Sequence, residues 1–246
     1  GTDRDESALS FALQQGFIRE KAENLSDYET VILAVPVRAA ISVLNTERFQ
    51  DGALVADVCG VKKAVEEAVY ASPRNYRYIG LHPMAGKETS GISSASADLF
   101  RGANLVMTIS PQTQESACRE IAEYAKAMGF GRIVTCTAEV HDRKIALTSQ
   151  LAHIVSNAYV KSPEVDGCEG FTGGSFQDMT RIAGVDEIMW SELYFSNREN
   201  LLAELDSLIS HLSEYREALA DGDEEKLRQK LREGRSRREC IRRGND

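Results

Sequence analysis

The sequence predicts an α/β domain built on a parallel sheet, followed by an all-helical domain. Two patterns predict it. Short apolar runs rich in β-formers fall at 30–35 (TVILAV), 53–58 (ALVADV), 77–81 (RYIGL) and 104–109 (NLVMTI), with the length and composition of buried strands. Helix-like segments at 5–15, 38–44, 62–71 and 113–128 alternate with them, and such alternation places helices over the faces of a parallel sheet. Beyond Thr137 apolar residues recur only at helical spacing, so the expected domains are 1–137 and 138–246.

Taken in order, the first helix follows Gly1-Thr2-Asp3-Arg4-Asp5. In dinucleotide-binding folds an acid at the end of the second strand bonds the adenosine ribose hydroxyls, which suits Asp3. Helix capping is an equal reading of such an acid, and Asp5 or Ser7 would serve there too. If Asp3 is the ribose acid, the chain as it stands lacks the first β-α unit, including the glycine turn and helix N-terminus that would hold the pyrophosphate. The expectation is then an incomplete Rossmann-type sheet, with cofactor binding and activity in doubt until that unit is supplied. The loop after the third strand, His82 to Gly91, carries two glycines on the side where open α/β sheets bind ligands.

In the helical half, residues 139–160 place Leu147, Leu151, Ile154, Val155 and Ala158 on one face, with Asp142, Ser149, His153 and Ser156 opposite. His153 is either an ordinary exposed histidine or a general base lining a cleft. A polar, glycine-rich loop at 162–174 follows. Arg181, after GGSFQDMT, is either a carboxylate clamp or a surface ion-pair partner of Asp178 or Asp186. Trp190, the single tryptophan, reads as core or as a substrate wall. Leu201, Leu205, Leu208, Leu212 and Tyr215 form a narrow seam that packs within the domain or against a second copy.

Composition removes several function classes. The 246 residues carry a net charge of -9, with 42% hydrophobic and 27% charged residues, a balance that disfavours a nucleic-acid binder. No run approaches the roughly 20 apolar residues of a membrane span. The basic stretch 226–243 interleaves acids and reads as a solvated helix face. Five cysteines without a CxxC pair, and no apolar leader, make the cytoplasm the expected setting and give no metal site.

HPMAGKETSG (82–91), LFRGA (99–103), HDRKIALTSQLAH (141–153) and GGSFQDMTRIA (173–183) occur in this order, with ADVCGVK (56–62) before them and Trp190 after. Together they resemble the prephenate dehydrogenase family. The resemblance implies an oxidoreductase of tyrosine biosynthesis that converts prephenate to 4-hydroxyphenylpyruvate by oxidative decarboxylation, or performs the same reaction on arogenate. It implies a nicotinamide acceptor, NAD rather than NADP because Asp3 offers a carboxylate where a 2′-phosphate would sit. It further implies a homodimer formed through the helical domain. By the same resemblance His153 takes the ring hydroxyl proton, Ser90 bonds that hydroxyl, and Arg181 binds a substrate carboxylate with Gly174 and Trp190 nearby. Asp3, Arg4, Val35 and Pro36 would face the cofactor. The other reading is a non-catalytic dimer that binds an aromatic precursor or a partner protein; retention of Ser90, His153 and Arg181 argues against it.

Overall fold

A computed structural model describes residues 1–86 and 91–243. The chain divides into two compact units, Gly1–Arg198 and Glu199–Asp246. In the first unit five strands lie side by side in chain order: β1 (Thr30–Leu33), β2 (Leu54–Asp57), β3 (Arg77–Pro83), β4 (Asn104–Thr108) and β5 (Arg132–Cys136). The four apolar runs seen in the sequence are β1 to β4. The fifth strand escapes sequence reading because it is an edge strand with no fully buried residue and only three half-buried ones, Ile133, Val134 and Cys136; its apolar run is too short to stand out.

Pairing is parallel except between β3 and β4, where Gly80 faces Thr108 and Pro83 faces Leu105 in antiparallel register. The expectation of an all-parallel sheet is corrected at this pair. Among the described residues the β3–β4 connection holds only a short 3-10 turn, Ile92–Ser94, and no crossover α-helix of the kind that returns a chain to parallel register.

The alternation of side chains along each strand sorts the core into two layers. Val31, Leu33, Val55 and Tyr78 pack on one face with Val37, Ala40 and Leu44 of α2 (Val37–Thr46) and Val65 and Val69 of α3 (Lys63–Tyr70). Leu54, Ala56, Ile79, Leu81, Leu105 and Met107 pack on the other with Ala117, Ile121 and Ala125 of α4 (Glu115–Ala127). Helix α1 (Glu6–Gln14) is capped by Asp5, whose carboxylate accepts from the Ser7 and Ala8 amides at 2.8 and 3.2 Å. On β1, Ile32 is 48% exposed.

The segment read as one helix over 139–160 is α5 (Ala138–Ile145), a π-helical turn (Ala146–Leu151) and α6 (Ala152–Tyr159). Its burial departs from the sequence expectation in part: Leu151 is buried as expected. Asp142 and Ser156 are 1% and 2% exposed, whereas Leu147 is 50% exposed and Ala158 also faces out. The buried polar residues are those with hydrogen-bond partners on neighbouring elements, and those partnerships outweigh hydrophobicity in choosing the inward face. The π turn also adds to the winding, so a single α-helical period cannot describe the whole segment.

Two short helices, α7 (Gly174–Thr180) and α8 (Glu187–Ser196), complete the unit. In the second unit, α9 (Arg198–Ala220) turns at Gly222, with φ of +66°, into α10 (Glu224–Arg243). The two fold back on each other: Tyr215 donates to the Lys230 carbonyl at 3.3 Å and Lys230 pairs with Glu214 at 2.9 Å. In the basic stretch, Arg228 and Arg232 meet Glu224 and Glu225 at 2.6 Å, as expected of a solvated face.

Candidate active site

Helix α3 begins without a cap of its own, since Lys62 stands at its N-cap and makes no side-chain cap bond. The missing acceptor comes from α5: Asp142 takes the Lys62 amide at 2.8 Å on one oxygen and the Lys63 amide at 2.9 Å on the other. A carboxylate is well suited to that position, because free N–H groups and the helix dipole both favour negative charge there. The same carboxylate lies 2.7 Å from His141 Nδ1, and His141 Nε2 lies 2.8 Å from Nδ1 of His82, near the end of β3.

These distances determine a tautomer chain. Asp142 can only accept, so neutral His141 donates from Nδ1 and keeps a lone pair on Nε2. That lone pair accepts from His82 Nδ1, which leaves His82 with a lone pair on Nε2. Burial first, then His141 and Lys62, push the His82 pKa down to about 3, against the opposing pull of Asp142. His82 is therefore neutral and oriented, with the Nε2 lone pair unprotonated, near the carboxyl edge of the sheet.

A second cluster forms along α6. His153 Nδ1 is 2.9 Å from the Ser149 carbonyl, and the imidazole lies against the Trp190 ring with centroids 3.9 Å apart. Ser156 donates to the Met179 carbonyl at 2.6 Å and Asn157 to the Ala183 carbonyl at 3.0 Å. These bonds pin the chain on both sides of exposed Arg181 to the helix that carries His153. Trp190 is half-buried on the face of His153, between the core and wall readings. Gly174, at the start of α7, is exposed.

An open cleft of about 1030 Å³ runs beside the first helix, lined by Gly1, Asp3, Ser7, Ala34 and Gly91 among others. Its size suits a ligand as large as a dinucleotide. Asp3 lines it while one of its oxygens accepts the Asp5 amide at 2.9 Å. Val35 and Pro36, both exposed, follow Ala34 at the carboxyl end of β1, and Arg4 is exposed beside Asp3. Ser90 lies outside the described residues.

The functional candidates missed by sequence reading are His82, His141 and Asp142. His82 was visible only as the first residue of a loop motif, and Asp142 was placed on the outward face of its helix. Among the described residues no group of three His, Cys, Asp or Glu side chains is set to hold a metal, and no helix is long and apolar enough to cross a membrane.

Residues 1–135 match the family described as prephenate dehydrogenase, nucleotide-binding domain, and residues 137–233 match prephenate dehydrogenase, dimerization domain. The chain is 30% identical over 254 residues to a cyclohexadienyl dehydrogenase of Zymomonas mobilis, covering 94% of this chain and 86% of the relative. It is 28% identical over 254 residues to a prephenate dehydrogenase of Lactococcus lactis, covering 98% and 69%. The crystal structure of A. aeolicus prephenate dehydrogenase in complex with hydroxyphenyl propionate and NAD+ superposes with a TM-score of 0.81 at 27% identity, covering 97% of this chain and 87% of that one.

Proposed function

Because the chain belongs to the prephenate dehydrogenase family, we propose that it converts prephenate to 4-hydroxyphenylpyruvate and carbon dioxide with NAD as the oxidant. It is an oxidoreductase of prephenate-like substrates. The observation that carries the finer reading is the His82–His141–Asp142 chain at the carboxyl edge of the sheet, where such folds present reacting groups to a nucleotide.

In this reading Asp3, which lines the cleft, holds the cofactor with Arg4, Val35 and Pro36, and its carboxylate favours a ribose hydroxyl over a 2′-phosphate. NAD, when bound, supplies the hydride acceptor. His82 Nε2 takes the proton of the ring hydroxyl as the carbon bearing it gives up hydride. The bond to the ring carboxylate breaks, its electron pair aromatises the ring, and the proton returns to the resulting phenolate oxygen. The developing imidazolium is offset through His141 by Asp142, the logic of a base held by an orienting partner.

A substrate with polar groups at opposite ends suits two clusters carried on successive helices, α5 and α6, with the hydroxyl at His82 and the side-chain carboxylate toward His153, Trp190, Gly174 and Arg181. We assign the proton to His82 rather than His153, because His153 is bonded to the Ser149 carbonyl of its own helix and packed on Trp190, whereas Asp142 stands behind His82 through His141. Ser90 remains the candidate for the hydroxyl's second partner. The dimerization-domain match supports a homodimer through the helices after β5.

The test is formation of reduced nicotinamide from prephenate or arogenate with NAD or NADP, comparing His82→Asn, His153→Asn and Arg181→Ala. Loss of turnover in His82→Asn, with a raised KM in the other two, is expected. Turnover by His82→Asn equal to that of the parent chain refutes the proton assignment. Turnover of arogenate but not prephenate reassigns the substrate, and turnover of neither, with NAD bound, refutes the function.

A further inference from the structure

Behind the His82–His141–Asp142 chain lies a fully buried ion pair that the reaction itself does not use. Lys62 and Asp57 are both 0% exposed, and the Lys62 ammonium contacts the Asp57 carboxylate directly. Asp57 also accepts from the Tyr78 hydroxyl at 2.6 Å and the Cys59 amide at 2.9 Å. The Lys62 ammonium makes a further bond, at 2.6 Å, to the carbonyl of Leu81, the residue immediately before His82. Its own backbone amide donates to Asp142. Space for the side chain comes from Gly80, where a Cβ would stand 3.1 Å from Lys62 Cδ and 2.3 Å from Thr108 Oγ1.

A buried charge pair is costly, and a hydrophobic pair of equal volume is often as stable or more so. Stability alone therefore explains Lys62 poorly, whereas its ammonium, anchored on Asp57, holds the carbonyl of the residue before His82, and its backbone amide meets the carboxylate that orients His141. We propose that Lys62 is a positioning residue that fixes the His82 imidazole relative to His141 and Asp142, with Asp57 and Tyr78 holding its ammonium in place. The inference rests on the reading of His82 as the proton acceptor.

Among the described residues the charged and titratable groups facing His82 are His141 and Asp142 from α5 and Lys62 from the β2–α3 turn. Lys62 is one of the groups that keep His82 neutral. The chain has four histidines, so the ring nitrogens of 15N-histidine-labelled protein can be followed individually by NMR, with His82 assigned by its loss in His82→Asn. In the parent chain His82 should hold one tautomer, protonated at Nδ1, and stay neutral below pH 5. In Lys62→Met the two tautomers should mix and the titration should move up by roughly one pH unit. The kcat should fall about tenfold or more with KM nearly unchanged, as expected when orientation is lost and binding is kept.

If Lys62→Met does not fold, Lys62→Met/Asp57→Asn removes the buried charges together and is read in its place. A folded variant in which His82 keeps its single tautomer overturns the proposal. The spectra need no substrate, so a parent chain with the expected spectra but no turnover counts against the functional reading alone.

Discussion

Replacing Asp142 with alanine tests the junction on which the candidate site depends. The wild-type carboxylate is 1% exposed and serves three donors: the Lys62 and Lys63 amides at 2.8 and 2.9 Å and His141 Nδ1 at 2.7 Å. Asp142→Ala leaves all three without an acceptor. A buried unpaired donor costs about 1–3 kcal/mol, and the void left by the carboxylate can admit one water, so the low end applies and the sum is about 3–5 kcal/mol. For a unit of this size each kcal/mol moves the melting temperature by about 2–4 °C, giving a drop of about 6–20 °C. Asp142→Asn, which keeps one acceptor oxygen but sets an NH2 group against a donor, should fall between. The assay is thermal unfolding followed by circular dichroism at neutral pH, with turnover measured on the folded variants, where kcat should fall more than KM rises. An Asp142→Ala melting temperature within about 2 °C of the parent refutes the cap-and-relay account, since that corresponds to at most about 1 kcal/mol.

Three further outcomes follow from the same geometry. Gly80→Ala should destabilise by about 1–3 kcal/mol in urea titration, because its Cβ meets Thr108 Oγ1 at 2.3 Å; adding Thr108→Ala should recover part of the loss, and no recovery contradicts the steric cause. His82 has a folded-state pKa of about 3, below its ordinary 6.5, so between those values the unfolded chain binds more protons and stability falls as pH falls, by up to about 1.4 kcal/mol per pH unit. Urea midpoints at pH 7 and pH 5 should show that slope, and His82→Asn should flatten it; an equal slope in the variant assigns the effect elsewhere. Burial pushes the Cys59 thiol far above its usual range, whereas Cys240 is exposed. Brief alkylation of native protein should label Cys240 and spare Cys59, a result checked by peptide mass spectrometry and contradicted by early labelling at Cys59.

The sequence alone determined a good deal of this protein. The apolar runs of β1 to β4, the helices between them and the helical half announce themselves, because strands inside a helix-covered sheet, β2 most completely, are apolar along most of their length and a helix on a sheet must repeat its apolar contacts. The ordered motifs from ADVCGVK to Trp190 carry the family, and the comparisons agree. Of the residues the sequence points to for the cofactor, Asp3 lines the cleft, and of those for the reaction, His153 packs on Trp190.

What only the tertiary structure decided are the contacts that join distant parts of the chain. His82 meets His141 across 59 residues, and Lys62 meets Asp142 across 80. No periodicity encodes such meetings, because each depends on where the sheet places the end of a strand and the start of a helix. The direction of the helix carrying Asp142 and His153 was likewise settled by partners rather than by hydrophobicity. Asp142 and Ser156 face inward because a bare helix N-terminus and the Met179 carbonyl await them there, and a buried polar group with a partner costs far less than one without.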